Sequence, residues 1–416
     1  MSSAAHASDI IVKPEALRSE KLPLLQTVLG IVFLVCAAIS AAGFFMARDQ
    51  WAFSWLWGVF FAFTICSGCF FWPLVHFATD AAWSTVIRRQ WENVNVQLMW
   101  LPVLFLPFLI PGVRESLWSW MNPEMTDPNH PLLYAKKWYL TTDKMLVRDI
   151  IILALFALWT FMMRKCSVAQ DYDGDPKWTH RLRNFSYFGL PVFGVGYSLL
   201  VIDMLMALDF KWFSTMWGVY LFAGAAWSAM AVAIITITLL KNSGHLKETV
   251  SEEHYHTMGK LLFAFTVFWS YIAFDQYMLI WYANIPEETS YFIRRNVGGW
   301  HILSTMLFLG HFVVPFLLLL PRNIPIIPFM SKKNPKYLLC VGIYVLVIQA
   351  LDLYIIIMPV RPHAGEGPQL QWIWLDVACL GAIVSAVILG YLRTASKAAL
   401  IPARDPRIVE SIHLAN

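Results

Sequence analysis

Charge is what this chain has least of. Asp, Glu, Lys and Arg supply 14% of its 416 residues, against roughly 25% in a soluble globular domain. The net charge is only +4, and no basic arm or RNA-binding signature is present, which argues against a nucleic-acid partner. No Cys-x-x-Cys-His occurs, so covalent c-type haem is excluded. The six cysteines include one close pair, Cys66-Ser-Gly-Cys69, inside an apolar run and with no second pair to complete a zinc or iron–sulfur ligand set. They read as small packing residues. What remains is apolar: 58% hydrophobic residues and a mean hydropathy of +0.56. One core of a chain this size cannot hide that much apolar side chain, so its solvent is lipid.

Each crossing needs about 20 apolar residues. The runs that qualify lie near 22–46, 52–78, 94–111, 146–163, 186–208, 212–240, 258–283, 298–320, 336–358 and 372–394, separated by charges and prolines. The expectation is an all-α membrane protein of ten transmembrane helices. It comprises an N-terminal segment 1–21, a membrane domain 22–394 and a C-terminal tail 395–416. The first 21 residues are polar and the run that follows is too long for a signal peptide, so no cleaved leader is expected. An even number of crossings puts both termini on one face. That face collects 21 of the 31 Lys and Arg, which makes it the cytoplasmic side of an inner membrane. Tryptophans such as Trp51, Trp55, Trp118, Trp138, Trp281 and Trp374 gather near the other face, at headgroup depth. The Trp- and Pro-rich loop 112–145 is expected to be ordered against partner subunits.

Ionisable residues in hydrocarbon are costly, so each one inside a span is a functional candidate. Asp203, Asp275 and Asp352 fall in spans five, seven and nine, at similar depth toward the outer face. His76 and Asp80, four apart, end span two on the cytoplasmic side. His301 stands near the outer end of span eight and His311 near its middle. Groups that exchange protons are of these types. The pattern suggests two half-paths: an entrance at Asp80 and His76, and an outer set of Asp203, Asp275, Asp352 and His301. His311, Tyr271 and Tyr277 would bridge them. The alternative is that each acid only ties helices together. Asp209 and Asp376 lie close to the interface and read as solvated or capping residues. His301 and His311 share one helix and His76 lies at the other face, so no bis-His haem site is expected. No catalytic residue and no metal site emerge.

Span seven ends in Tyr282-Ala-Asn-Ile-Pro-Glu-Glu-Thr289, where Asn284 with Glu287 reads as a capping box and Pro286 as a first-turn residue. Arg294 and Arg295 follow, placed to pair with Glu287 and Glu288. The four charges either hold the loop or form a docking surface for an extrinsic subunit. Met206-Ala-Leu-Asp-Phe210 is similar to Gln349-Ala-Leu-Asp-Leu353, four spans later, a faint sign of two related four-helix bundles. These would be spans 2–5 and 6–9, flanked by spans 1 and 10.

The run Phe274-Asp-Gln-Tyr-Met-Leu-Ile-Trp-Tyr-Ala-Asn-Ile-Pro-Glu-Glu-Thr289 resembles the signature of the NrfD-like (polysulfide-reductase membrane subunit) proteins of bacterial alternative complex III, a quinol:cytochrome c oxidoreductase. Ten spans with cytoplasmic termini are also similar to that family. The length resembles the shorter of the complex's two such subunits, ActF rather than ActC. The resemblance carries Asp275, Gln276, Tyr277, Tyr282 and Glu287 over as motif residues. It implies a subunit with no redox centre of its own, next to menaquinol as the complex's substrate, with haem c and iron–sulfur clusters held by partners. Those partners would be the homologous ActC, the iron–sulfur subunit ActB, the cytochrome c subunits ActA and ActE, the small membrane subunit ActD and in some cases a terminal oxidase. The subunit's part would be a proton-conducting path coupled to quinol oxidation elsewhere. Rival readings are a menaquinol site within this chain near the periplasmic face, and a stand-alone secondary transporter. The Gly- and Pro-interrupted stretch 189–196 hints at the last, although it lies near a span's end rather than at mid-membrane.

Topology is directly testable. Reporters fused at Met1 and at Asn416 are both expected to read cytoplasmic, and a periplasmic signal from either contradicts the ten-span reading.

Overall fold

A computed structural model describes residues 15–127, 130–321, 330–361, 365 and 367–414, with the side chain of Glu287 also outside the description. The remaining ends of the N- and C-terminal segments, and Arg322 among the basic residues counted above, lie outside it.

In lipid a backbone must satisfy its own hydrogen bonds, and apolar runs of this length do so as helices. Among the described residues, nine helices are long and apolar enough to cross a membrane, and a tenth crossing is bent. The nine are α1 (Leu22–Met46), α2 (Arg48–Ala78), α6 (Thr142–Asp173), α7 (Pro176–Met204), α8 (Trp217–Asn242), α9 (Glu252–Ala283), α11 with α12 (Gly299–Phe308, Val314–Leu319), α13 (Pro335–Ile357) and α14 (Ile373–Ala395). The short helices are α3 (Thr85–Asn95), α4 (Pro111–Leu117), α5 (Pro131–Lys136), α10 (Pro286–Arg295) and α15 (Ile408–Ile412). Helix starts follow local chemistry. Asp175 Oδ1 accepts from the Lys177 N–H at 2.8 Å ahead of α7, and Asn334 Oδ1 accepts from Lys336 N–H at 3.0 Å ahead of α13, each with Pro in the first turn. Gly174 closes α6 in the left-handed region, at φ +68°.

Two crossings are irregular, and proline explains both. The third begins as α3, continues as 3₁₀ turns over Val96–Met99 and Leu101–Leu109, and turns by 90° into α4. Pro102 and Pro107 supply no N–H to an α-helical ladder there. In the eighth, Pro315 cannot donate to the His311 carbonyl, and Leu309–Val313 widens into a π-helical turn that sets His311 inward. Helices α6 and α7 outrun the expected spans because their charged ends, 164–173 and 176–183, remain helical beyond the apolar stretch.

Spans two to five (α2, the bent third crossing, α6, α7) form one four-helix bundle, and spans six to nine (α8, α9, α11–α12, α13) form a second, with α1 and α14 at the side. The bundles meet along α2 and α8. Small residues let the two backbones approach: a Cβ on Gly68 would collide with the Ala225 carbonyl oxygen. Indole N–H groups then donate to buried α8 carbonyls across the seam, Trp72 to Ala226 at 3.1 Å and Trp91 to Ala229 at 2.9 Å. Both described ends of the chain lie on one face, where Leu17 N–H donates to the Ala395 carbonyl and Leu400 N–H to that of Glu15. That requires an even number of crossings, so the bent third segment is a true one. The first part of the loop 112–145 packs on its own chain, with Trp118 and Trp120 buried and Trp120 donating to the Ala207 carbonyl, whereas Tyr134 and Trp138 further on are exposed.

Gly68→Val is expected to lower the melting temperature of the detergent-solubilised protein, since overpacking a tight seam costs about 1–3 kcal/mol. Gly30→Val, where an added side chain meets open space, is the control and should leave it unchanged. Equal melting of both contradicts the seam.

Candidate functional site

The second bundle holds the most developed polar site. Asp352 of α13 is 1% exposed and is held from two sides. Tyr220 of α8 donates its phenol to Oδ1 at 2.5 Å, and Trp269 of α9 donates its indole N–H to Oδ2 at 3.3 Å. Inward of Trp269 sits His311, sandwiched between its indole at 3.6 Å and that of Trp227 at 4.0 Å. Trp227 in turn donates to Thr266 Oγ1 at 2.9 Å. Gln349, three residues before Asp352 and fully buried, lies beside His311.

Toward the face away from the termini, Asp352 and Tyr220 form the inner wall of a cavity of about 470 Å³. Trp212, Phe274, Tyr277, Tyr291, Phe292 and Phe308 line most of it. Its floor is fixed by Arg295, which is buried and donates to the carbonyls of Tyr291 (2.9 Å), Ile355 (3.0 Å) and Ile356 (2.7 Å) while its guanidinium stacks on the Tyr291 ring at 3.5 Å. The Ile355 and Ile356 carbonyls lie in the last turn of α13, where a helix leaves its carbonyls without donors. Burial lowers the Arg295 guanidinium below its ordinary value and pushes the Tyr291 phenol up to about 12, so that phenol stays protonated at physiological pH.

The first bundle has a different arrangement. Asp203 of α7 is fully buried, and both its oxygens are taken by Arg148 of α6, Oδ2 from Nε at 2.5 Å and Oδ1 from Nη2 at 2.7 Å. Arg148 also stacks on Tyr139 at 3.9 Å. Asp149 lies beside this pair and borders a second, almost wholly apolar cavity of about 290 Å³.

At the terminal face, His76 Nε2 accepts from Arg88 at 2.9 Å, and since arginine can only donate, the other ring nitrogen carries the hydrogen and donates to Ser84 Oγ at 2.8 Å. Arg88 is completely buried and also binds Glu92 (2.9 Å) and Asp405 (2.8 Å). Glu92 further meets Arg89, Arg164 and Ser167.

The expected residues are therefore only partly brought together. Asp352 and His311 share the second-bundle site, and Tyr277 lines its cavity. Asp203 stands apart, in an ion pair. Asp275, Tyr271 and His301 lie toward the outside of their helices and touch neither site. Asp80 does not share a helix face with His76. Helix α2 ends at Ala78, and Asp80, at φ +52°, turns away to pair with Arg183 and Arg407. Asp209 and Asp376 are buried rather than solvated. Asp209 meets Arg294 at 3.3 Å, and Asp376 accepts from Ser54 (2.5 Å), Gln50 (3.0 Å) and Tyr354 (3.2 Å). Asn284 closes α9 in the left-handed region instead of opening α10, because Pro286 starts α10 and makes Ile285 its N-cap. Arg294 pairs with Asp209, and Arg295 is spent on carbonyls and buried, which removes it from a docking surface. Sequence reasoning missed Tyr220, Trp269, Gln349, Arg148 and Asp149. No group of three His, Cys, Asp or Glu placed to hold a metal occurs among the described residues.

A scan against family models and a search of curated proteins return no match to this chain.

Arg295→Met should destabilise the protein by about 3 kcal/mol, because three carbonyls lose a charged donor. Chemical denaturation in mild detergent measures it, and a loss within error of zero would mean that Arg295 does not hold the cavity floor.

Proposed function

We propose that this multi-pass membrane protein is a subunit of a respiratory quinol:cytochrome c oxidoreductase of the NrfD-like kind, without a redox centre of its own, and that it conducts protons through its second bundle. The observation that carries this reading is the Asp352–Tyr220 pair at the head of an open cavity, backed by Trp269, His311 and Gln349 in the bundle's middle. A carboxyl hydrogen-bonded to a phenol at the wall of a cavity is a group that can exchange protons with water or with a ligand. Inward of it, an imidazole and an amide are buried where a fully apolar bundle would need neither. Arg88, Glu92 and His76 supply the polar groups at the terminal face. Asp203 serves in this reading as an anchor, since a carboxylate held by both oxygens to one guanidinium is a fixed charge pair. The resemblance of the run 274–289 supplies the complex, with haem c and iron–sulfur clusters in partner subunits.

One feature favours a second reading, in which this chain binds menaquinol itself. The cavity beside Asp352 is apolar and aromatic, with a few convergent polar groups at its inner wall, the character of a small-molecule site. Asp352 would then accept the proton released on oxidation.

Asp352→Asn and Tyr220→Phe, in the intact complex reconstituted in liposomes, separate the readings. Proton conduction predicts quinol oxidation within about twofold of the parent and proton movement reduced at least tenfold. Loss of quinol oxidation itself supports the menaquinol site. Unchanged values of both overturn both.

A further inference from the structure

Asp275 is the acid that neither bundle uses. It stands in α9, six residues before Trp281, which puts it about 9 Å below the level of that indole along the helix. An Asp side chain is too short to reach the headgroups from there, unlike Lys or Arg. It is partly exposed on the outer side of the helix, and no hydrogen bond or ion pair to it occurs among the described residues. Its neighbours on that side are apolar and more exposed still: Tyr271 at 64%, Met278 at 42% and Tyr282 at 83%. A carboxyl facing hydrocarbon with no partner is the costliest way to place an acid in a membrane.

The residues on this side have a regular spacing. Ala264, Phe268, Tyr271, Asp275, Met278 and Tyr282 follow one another at intervals of four and three, and all are at least partly exposed. A helix face so spaced can pack along a neighbouring helix at a shallow left-handed crossing. Lipid does not accommodate its one charge.

We propose that this face of α9 is an interface with a transmembrane helix of another membrane protein, and that the partner helix carries an Arg or Lys opposite Asp275. The occupant is identified by charge complementarity: in hydrocarbon a carboxylate is matched by a basic side chain at the same depth. Lipid alone leaves it unmatched. The inference does not depend on the proton path or the menaquinol site, since Asp275 belongs to neither.

The test places a photoreactive benzoylphenylalanine at Met278, in cells making the full chain, with the same residue at Val347 on the exposed side of α13 as control. The expected result is one discrete protein adduct from position 278, absent from position 347. Its cross-linked peptide should lie in a membrane span with an Arg or Lys within one turn. Asp275→Leu should cut the adduct at least tenfold, and Asp275→Glu should retain it. Gel filtration of the tagged chain confirms that both variants insert and fold. Labelling of lipid only overturns the proposal. So does an adduct with a second copy of this chain, an adduct peptide without a basic residue, or a yield that Asp275→Leu leaves unchanged.

Discussion

The structure depends throughout on the cost of an unmatched charge in a medium that cannot solvate it. With only 14% charged residues, the chain sets many of its buried ionisable groups against a partner from another element. Asp203 meets Arg148, Asp352 meets Tyr220 and Trp269, Asp376 meets Ser54, Gln50 and Tyr354, and Arg88 meets Asp405. Each contact joins separate elements, so the same groups that are costly to bury also fix which element lies beside which. Removing one partner from such a pair leaves the other stranded, which costs far more than the pair itself contributes.

The two bundles spend this polar inventory differently. In the first, Asp203 is saturated by one guanidinium, and such a pair is rigid. In the second, Asp352 is held by neutral donors and faces a cavity. Neutral donors leave a carboxyl free to gain and lose a proton without dismantling the packing around it. The π-helical turn at 309–313 contributes to the same end, since the missing N–H of Pro315 lets His311 settle between two indoles rather than follow the regular helix face.

The helical architecture was legible in the sequence because hydrocarbon imposes length and hydropathy together. Boundaries such as 22–46 for α1 and 336–358 for α13 agree within a residue of the helices seen. The bend after Leu109 was hidden, since apolar prolines raise no hydropathy signal. The site was less legible. The rule that flags a charge inside a span finds Asp203 and Asp352, and it applies equally to Arg148 and Asp149, which fall within the expected span 146–163. Tyr220 and Trp269 carry no such flag: fifteen tyrosines and twenty tryptophans offer no way to single out the two that face a carboxyl. Similar depth also proved a poor guide to proximity. Asp203, Asp275 and Asp352 lie at comparable levels, yet they point into the first bundle, out of the molecule and into the second.

The central claim is that the Asp352 carboxyl changes its protonation during turnover. Infrared difference spectroscopy of the reconstituted complex, before and after quinol is added, reads it most directly. The account predicts a carboxylic C=O band that appears or disappears on reduction, shifts in D₂O and is missing from Asp352→Asn. A difference spectrum with the same carboxyl bands in the parent and in Asp352→Asn contradicts it.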